Sequence, residues 1–342
     1  MTTYFLFYMT LFVLQLLAFR VKSNFFYISA ILLVVAFVSL RYMVGWDYEH
    51  YYNAIVYHAD NNITLREEYL TVFLIDLARI YESPFIYFFI NAAIFFSIFY
   101  FFVKKYSVNP WLSLFIFIGF PLFFLNSLSV VRTFTAISVS LLALCFLLNK
   151  RYIVYLALIF LASLFHKSAF IALFLPIFLL VDFNKKLWAF VIVFGFLAGS
   201  YIEAFIGYLV EIYFPYYQVY LKKTMAQEGT KAIFFLAGFA VLFVIFSDKI
   251  TKNDKAMSFF LDSYLFGVFI YMIFANYGTL AHRATLYSTV LLVILLPRFL
   301  EVLRPLYINR ILFFSLHAIL IFFFFYTVKV GEDTYIPYRF IF

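Results

Sequence analysis

Long apolar runs recur along the chain from Tyr4 to Val328, and short polar or charged stretches separate them. A helix needs about 20 apolar residues to cross the hydrocarbon core of a bilayer. The pattern predicts membrane-spanning helices over residues 4–19, 24–40, 84–103, 110–125, 130–148, 152–165, 168–181, 187–206, 232–247, 258–277, 282–300 and 310–328. We therefore expect an all-α, polytopic integral membrane protein of about 12 spans, with residues 1–342 forming a single transmembrane domain.

The amino-acid composition excludes a soluble protein. The 342 residues are 67% hydrophobic, 25% aromatic and only 12% charged, whereas about a quarter of the residues of a soluble domain are charged. The single cysteine, Cys145, excludes an intramolecular disulfide. Residues 4–19 are interpreted as a retained first span, because no basic stretch precedes them and no small-residue cleavage pattern follows.

Residues 66–82 combine an apolar face with several charged side chains, among them Asp76 and Arg79. A charge at the bilayer centre costs about 2.5–3.5 kcal/mol on insertion scales. The segment is therefore better explained as an amphipathic helix on the outer interface than as a span.

The basic residues indicate the orientation of the spans. Loops on the cytoplasmic side are enriched in Lys and Arg, and the pairs Lys104–Lys105 and Lys150–Arg151 share a side with Arg20 only if 66–82 does not cross. The N-terminus is then outside, and so are two long loops, 41–83 and 207–231, and the tail 329–342. Because loops carry function more often than the elements they connect, we expect the chemistry on the outer face.

Several motifs that the chain lacks narrow the function further. It contains no Walker A sequence, zinc-ligand spacing, H-E-x-x-H or G-x-S-x-G, which argues against an ATP-driven pump, a zinc protease and an α/β-hydrolase. The net charge of +8 is explained by the positive-inside loops rather than by a nucleic-acid partner. No carboxylate cluster indicates a metal site, although Asp47 with Glu49 leaves one weakly bound divalent ion open. Neither metal nor cofactor is expected.

The first candidate cluster follows the second span and surrounds one glycine, Gly45. Arginine offers a planar fork of donors that suits phosphate, a carboxylate can act as a base, and aromatic faces suit sugar rings. The residues in these roles are Arg41, Asp47, Tyr42, Tyr48 and Tyr51. An aromatic belt at the membrane interface, with Arg41 snorkelling, is the alternative.

Further candidates lie at other predicted outer ends. Arg132 stands where no positive-inside anchor is expected, so a phosphate-bearing lipid or ordinary snorkelling would explain it. His166 and Lys167 separate two runs too short to cross the bilayer alone, which are either re-entrant or line a cavity. His166 suits proton transfer, although a lone histidine is usually structural.

The remaining candidates are His282, Arg283, Tyr287 and Tyr338. Arg41, Arg132 and Arg283 together would fit a diphosphate at headgroup level.

These motifs resemble the EpsG-like family of Wzy-type exopolysaccharide, capsule and O-antigen polymerases. The shared features run in order along nearly the whole chain: Arg41-Tyr42-x-Val44-Gly45-x-Asp47-Tyr48-x-x-Tyr51, Arg132 with Ala136, Phe165-His166-Lys167-Ser168, Arg283-x-x-x-Tyr287, and Ile336-Pro337-Tyr338. The chain departs from the family pattern at Ser129 and Thr133, where Asn and Gln are often found.

The resemblance implies a GT-C-like glycosyltransferase of the bacterial plasma membrane with its active site facing the periplasm or exterior. Such an enzyme transfers a glycan from an undecaprenyl-diphosphate carrier onto the non-reducing end of a lipid-linked repeat unit. His166, Asp47 and Arg132 are the expected catalytic residues. The other candidates above are expected to bind substrate, and a chain-length regulator and a flippase are possible partners.

Three other functions remain open on the sequence. A transporter or flippase of lipid-linked oligosaccharide would use the same membrane environment, but it tends toward paired halves with broken helices. An O-antigen ligase would share the chemistry and usually carries one large outer loop, which 207–231 is not. A membrane acyltransferase that uses His166 is a third alternative.

Overall fold

The computed structural model of the chain describes residues 1–58, 68–181, 183–213, 230–275, 278–303 and 306–341. It is helical nearly throughout, and it divides into two compact units. Unit 1 contains Met1–Phe170 and Phe314–Phe342, and unit 2 contains Ile171–Phe313. The polytopic, all-α character predicted from the hydrophobic pattern is confirmed.

Unit 1 begins with two helices and a short strand. Its elements are α1 (Thr2–Val21), α2 (Asn24–Ser39), β1 (Arg41–Tyr42), α3 (Tyr48–Val56), α4 (Tyr69–Ile80), α5 (Pro84–Tyr106), α6 (Pro110–Gly119), α7 (Phe124–Ser129), α8 (Val131–Leu148), α9 (Tyr152–Ser163), part of a 3₁₀ helix (Lys167–Phe174), and, from the C-terminus, most of α17 (Leu306–Val330), α18 (Glu332–Tyr335) and β2 (Arg339–Phe340). Helix α8 packs on both α5 and α9, and α5 also packs on α2.

Unit 2 is built around one helix with a buried surface on several sides. Its elements are α10 (Ile177–Leu180), α11 (Lys185–Tyr213), α12 (Thr230–Ile245), α13 (Ser247–Ile250), α14 (Lys255–Ile273), α15 (Gly278–Thr289) and α16 (Leu292–Val302). Helix α14 packs against α11, α12 and α15. Pro297 lies inside α16, and α15 and α16 are bent by 49° relative to each other.

Helix lengths support fewer spans than the sequence pattern predicts. Among the described residues five helices are long and apolar enough to cross a bilayer, or six if the bent pair α15–α16 counts as one span. The predicted span 110–125 is divided into α6 and α7, and 168–181 is a 3₁₀ helix followed by the four-residue α10. Pro176 disfavours an α conformation for the residue before it, which accounts for the break at that point. The number twelve stays a prediction.

The amphipathic segment 66–82 is present as the twelve-residue helix α4, and residues 59–67 lie outside the described part. It buries Thr71, Leu74, Ile75 and Ala78 on one face. With 12 residues it is too short to span a bilayer. Most of the predicted outer loop 207–231 also lies outside the described residues, because α11 ends at Tyr213 and α12 begins at Thr230.

Hydrogen bonds inside unit 1 join the ends of different helices, and in each pair the charge pattern assigns both ends to the same side of the membrane. At the predicted inner end Lys104 Nζ donates to Asn24 Oδ1 at 2.7 Å, and Tyr27 Oη donates to the Pro110 carbonyl at 3.2 Å. The pairs at the predicted outer end are Arg41–Phe340 of the strand ladder, Trp46–Ser129 and Thr71–Phe165. The grouping of the ends thus agrees with the predicted topology.

Candidate functional site

Arg41 is completely buried at the end of α2. Its guanidinium donates to the backbone carbonyls of Val44 at 3.0 Å, Leu128 at 3.1 Å and Val38, and its Cζ lies 4.2 Å from the centre of the Phe88 ring. Burial lowers the pKa of Arg41 to about 10, so the side chain remains cationic at neutral pH. The carbonyl hydrogen bonds and the Phe88 ring compensate the cost of burying this charge. Every one of these contacts ties Arg41 to the protein backbone or to an aromatic face.

The loop between α2 and α3 is fixed from two sides. Strand β1 pairs antiparallel with β2 of the C-terminal tail, with Tyr42 opposite Arg339. Gly45 has a φ of +99°, its N–H donates to the Thr334 carbonyl at 3.1 Å, and a Cβ added to it would lie 2.1 Å from the Leu128 carbonyl oxygen. Only glycine fits this position. The turn then directs Asp47 to the start of α3.

Tyrosines of α3 pack against α5. Tyr48 is buried and stacks on Phe88 at 4.6 Å, and the equally buried Tyr51 stacks on Tyr87 at 4.6 Å. Burial raises the pKa of Tyr51, and the neighbouring positive charge of Arg132 offsets part of that rise, while Asp47 adds to it. The charges of Asp47 and Arg132 therefore both act on the Tyr51 hydroxyl.

Arg132, near the start of α8, forms an ion pair that the sequence did not predict. Its Nη1 lies 2.7 Å from Oε2 of Glu68, the residue before α4, and the two side chains are 18% and 8% exposed. The second oxygen of Glu68, Oε1, accepts the Lys167 amide at 3.0 Å. One buried carboxylate thus connects Arg132 to the segment that contains His166.

His166 is half-buried, and the Lys167 side chain beside it is exposed. The Ser168 amide lies 3.3 Å from His166 Nδ1, and Ser168 Oγ lies 2.6 Å from the same nitrogen. Because an amide N–H can only donate, Nδ1 acts as an acceptor, which puts the proton of a neutral ring on Nε2. In this arrangement His166 is a hydrogen-bond donor through Nε2.

The start of α4 is bonded directly to the chain around His166. The Leu70 amide donates to the Leu164 carbonyl at 3.0 Å, and Thr71 Oγ1 donates to the Phe165 carbonyl at 3.1 Å. These bonds place Glu68 next to Lys167. The predicted interfacial helix therefore supplies a side chain to the site.

Unit 1 thus gathers Asp47, Tyr51, Arg132, His166 and Lys167, which the sequence predicted one by one. Tyr42 lies at the edge of this group, where its ring contacts Tyr48 and Tyr52 at 6.1 and 5.7 Å between centroids. No group of three metal-ligating side chains occurs in the described ranges.

The remaining predicted residues have different surroundings. Tyr338 is buried, donates to the Phe37 carbonyl and stacks on the Phe37 ring at 4.3 Å, so it holds the tail on α2. His282 and Arg283 are half-buried and Tyr287 is buried in α15 of unit 2. A substrate contact by Arg41, Tyr338 or the α15 residues stays a prediction.

Sequence reasoning missed Glu68 and Tyr87. Glu68 was visible only as one of several charges in 66–82, and it is separated from Arg132 by 64 positions. Tyr87 has no sequence signal that distinguishes it from the many aromatic residues of the spans. Both belong to the site because of how α3, α4 and α5 pack together.

Comparison with known proteins assigns the family. The family model described as "EpsG family" matches residues 24–340, which include α2 through β2 and all the site residues above. Neither a curated protein nor a solved structure matches the chain. Because the match extends over nearly the whole sequence, the chain belongs to the EpsG family, a Wzy-type polymerase-like family of multi-pass membrane proteins.

Proposed function

We propose that this protein is a Wzy-type polysaccharide polymerase. It transfers a glycan from an undecaprenyl-diphosphate carrier onto the non-reducing end of a lipid-linked repeat unit, on the outer side of the bacterial plasma membrane. Membership of the EpsG family supports a polysaccharide polymerase-like role in general. The observation that carries the specific proposal is the group of Arg132, Glu68, Lys167, His166 and Asp47 at one end of unit 1.

In the proposed reaction the acceptor hydroxyl oxygen attacks the anomeric carbon of the glycan. The carbon–oxygen bond to the diphosphate breaks, the carrier diphosphate leaves as an anion, and the hydroxyl proton passes to a base. Arg132 and Lys167 stabilise the charge that develops on the leaving group, as preorganised cations do in other transfer reactions. His166, with its proton on Nε2, donates a hydrogen bond to the same oxygens.

Asp47 is the better candidate for the base. Nδ1 of His166 accepts hydrogen bonds from Ser168 and Nε2 carries the proton, so the neutral ring has no nitrogen left to take a proton. Asp47 is a half-buried carboxylate whose charge, like that of Arg132, acts on the Tyr51 hydroxyl. The exposed rings near the loop, such as Trp46 at 65% and Tyr57 at 68% exposure, offer faces for sugars. Arg41 has a supporting role in this proposal: it bonds both the Val44 carbonyl, in the loop that leads to Asp47, and the Leu128 carbonyl of α7.

The test is polymer formation by the purified chain in detergent with its lipid-linked repeat unit. Glycan chains longer than one unit should form without a nucleotide sugar. A transporter would leave the glycan at its original length in this assay, because detergent leaves no compartments to connect. A ligase would transfer the glycan only when a different acceptor lipid is supplied.

Arg132→Ala should lower the rate of elongation by about 10²–10³, the usual cost of removing one transition-state donor. Arg298→Ala is the matched control. Arg298 is also a partly buried arginine paired with a carboxylate, Glu301, at 2.7 Å, but it lies in unit 2 at the predicted inner side. Equal losses in the two variants, or long polymer from Arg132→Ala, would contradict the proposal.

A further inference from the structure

Asp262 is a carboxylate inside the span-length helix α14 of unit 2, and it is only 1% exposed. An ionisable side chain within a membrane-spanning helix is costly and usually has a function. Its two oxygens have different partners: Lys185 Nζ lies 2.5 Å from Oδ2, and Trp188 Nε1 donates to Oδ1 at 2.9 Å. One buried acid thus orients two side chains of the first turn of α11.

Two adjoining cavities lie beside this group. The first, of about 250 Å³, is lined by Trp188, Phe178 and other apolar side chains of α10, α11 and α14. The second, of about 350 Å³, is polar and is lined by Lys185 and Lys186 together with hydroxyl side chains and Asp248. Phe183 and Asn184 line both. The two cavities therefore adjoin at the start of α11.

Asp262 holds one residue of each cavity. Through Oδ2 it fixes Lys185 in the polar cavity, and through Oδ1 it fixes Trp188 in the wall of the apolar one. Trp188 is further packed by Phe178 and Phe183, each with its ring centre 5.8 Å away. A rigid apolar compartment next to a lysine-lined polar one matches an amphiphile, with a charged head and a hydrocarbon chain.

We propose that these two cavities bind one phospholipid of the surrounding bilayer. Its phosphate lies against Lys186 and Lys185, and one acyl chain fills the cavity walled by Trp188. Lys186 supplies most of the attraction, because it is exposed and Lys185 already shares its charge with Asp262. Asp248 disfavours a headgroup with a second negative charge, so the preferred ligand carries a single one, as phosphatidylglycerol does.

The charge pattern of the chain assigns this end of unit 2 to the cytoplasmic side. Anionic lipids and basic pockets between helices commonly meet on that side of a membrane. The lipid site uses none of the residues of the proposed polymerase site. Its success or failure is therefore independent of the proposed function.

Quenching of Trp188 by brominated lipid tests the proposal on the full chain. Trp46→Phe and Trp111→Phe leave Trp188 as the one tryptophan of the three in the sequence. This variant is reconstituted in vesicles of phosphatidylcholine with a fixed share of phosphatidylglycerol, and the bromine is placed on the acyl chains of one lipid or the other. At equal numbers of brominated molecules, phosphatidylglycerol should quench the Trp188 fluorescence about fivefold more strongly than phosphatidylcholine. This is the factor expected for one lysine near a membrane surface.

Substitutions then locate the headgroup. Lys186→Gln should remove the preference, Asp248→Asn should increase it, and Lys252→Gln, an exposed lysine that lines neither cavity, should leave it unchanged. Each variant is first checked for native elution on gel filtration. Equal quenching by the two lipids, an equal effect of Lys252→Gln, or relief of quenching by inorganic phosphate alone would overturn the proposal.

Discussion

Two arginines at the same end of unit 1 have opposite environments. Arg41 is 0% exposed and donates to backbone carbonyls, whereas Arg132 is 18% exposed and pairs with a carboxylate. Replacing the three carbonyl contacts of Arg41 would detach the loop at Val44 from α2, which contains Val38, and from α7, which contains Leu128. A diphosphate could replace one Glu68 oxygen on Arg132 while the backbone keeps its shape. At the scale of residues, Arg132 is therefore the arginine suited to exchange ligands.

Glu68 is predicted to position Arg132 rather than to react. Glu68→Gln keeps an oxygen that can accept the Lys167 amide, but it removes the charge that orients the guanidinium. Because misplacing a group by about 1 Å can cost on the order of 10²-fold, elongation should fall by about 10- to 100-fold, mainly in kcat. The measurement is the initial rate of elongation by purified protein across substrate concentrations.

Asp76→Asn provides the control from the same helix. Asp76 pairs with Arg79 at 2.9 Å, but its side chain is 56% exposed, and exposed ion pairs contribute little. We expect its rate and its thermal unfolding temperature to stay near those of the unmodified protein. If Asp76→Asn is as impaired as Glu68→Gln, or if Glu68→Gln loses unfolding temperature in proportion to rate, positioning is the wrong explanation.

At the scale of elements, the loop between α2 and α3 depends on Gly45. Gly45→Ala would put a methyl group 2.1 Å from the Leu128 carbonyl oxygen in a backbone with φ of +99°. Strain of this kind costs about 1–3 kcal/mol, and crowding against α7 costs about 1–3 kcal/mol more. We expect a clearly lower thermal unfolding temperature, together with reduced elongation because the loop carries Asp47.

Gly238→Ala is the comparison for that substitution. Gly238 lies in α12, and an added Cβ would meet nothing within 4 Å. Replacing a helical glycine by alanine stabilises by about 0.5–1 kcal/mol, so its unfolding temperature should not fall. An unfolding temperature for Gly45→Ala equal to that of Gly238→Ala would show that the close approach to Leu128 is not needed.

At the scale of the whole molecule, the two ends of the spans should face opposite sides of the membrane. Cys145 is the one cysteine, so Cys145→Ser provides a background for single cysteines at exposed positions. A membrane-impermeant maleimide added to intact spheroplasts should label Tyr57→Cys and Arg339→Cys but not Lys150→Cys. Inverted vesicles should give the reverse pattern.

Labelling of all three positions from one side would exclude the predicted topology. Labelling of Tyr57→Cys and Arg339→Cys from different sides would be equally damaging, because β1 and β2 pair at the start of the same loop. Disruption of the inner membrane before labelling serves as the control for access.

The sequence by itself determined the membrane-embedded, all-helical class, the grouping of span ends and most of the residues that make up the candidate site. These depend on local information: an apolar run indicates a helix in lipid whatever its neighbours, and a basic pair indicates a side. Gly45 and Asp47 were recognisable for the same reason, because a tight turn and the carboxylate that follows it are encoded by a few consecutive residues.

Only the tertiary structure decided which of these residues meet. Packing of α4 on the chain at Leu164–Phe165 brings Glu68 to Arg132 and Lys167, and closure of the tail over α2 buries Arg41 and Tyr338. The two adjoining cavities of unit 2 likewise depend on Asp262 of α14, which bonds Lys185 and Trp188 of α11. Contacts between residues far apart in sequence are set by the sum of many packing interactions, and no single segment encodes that sum.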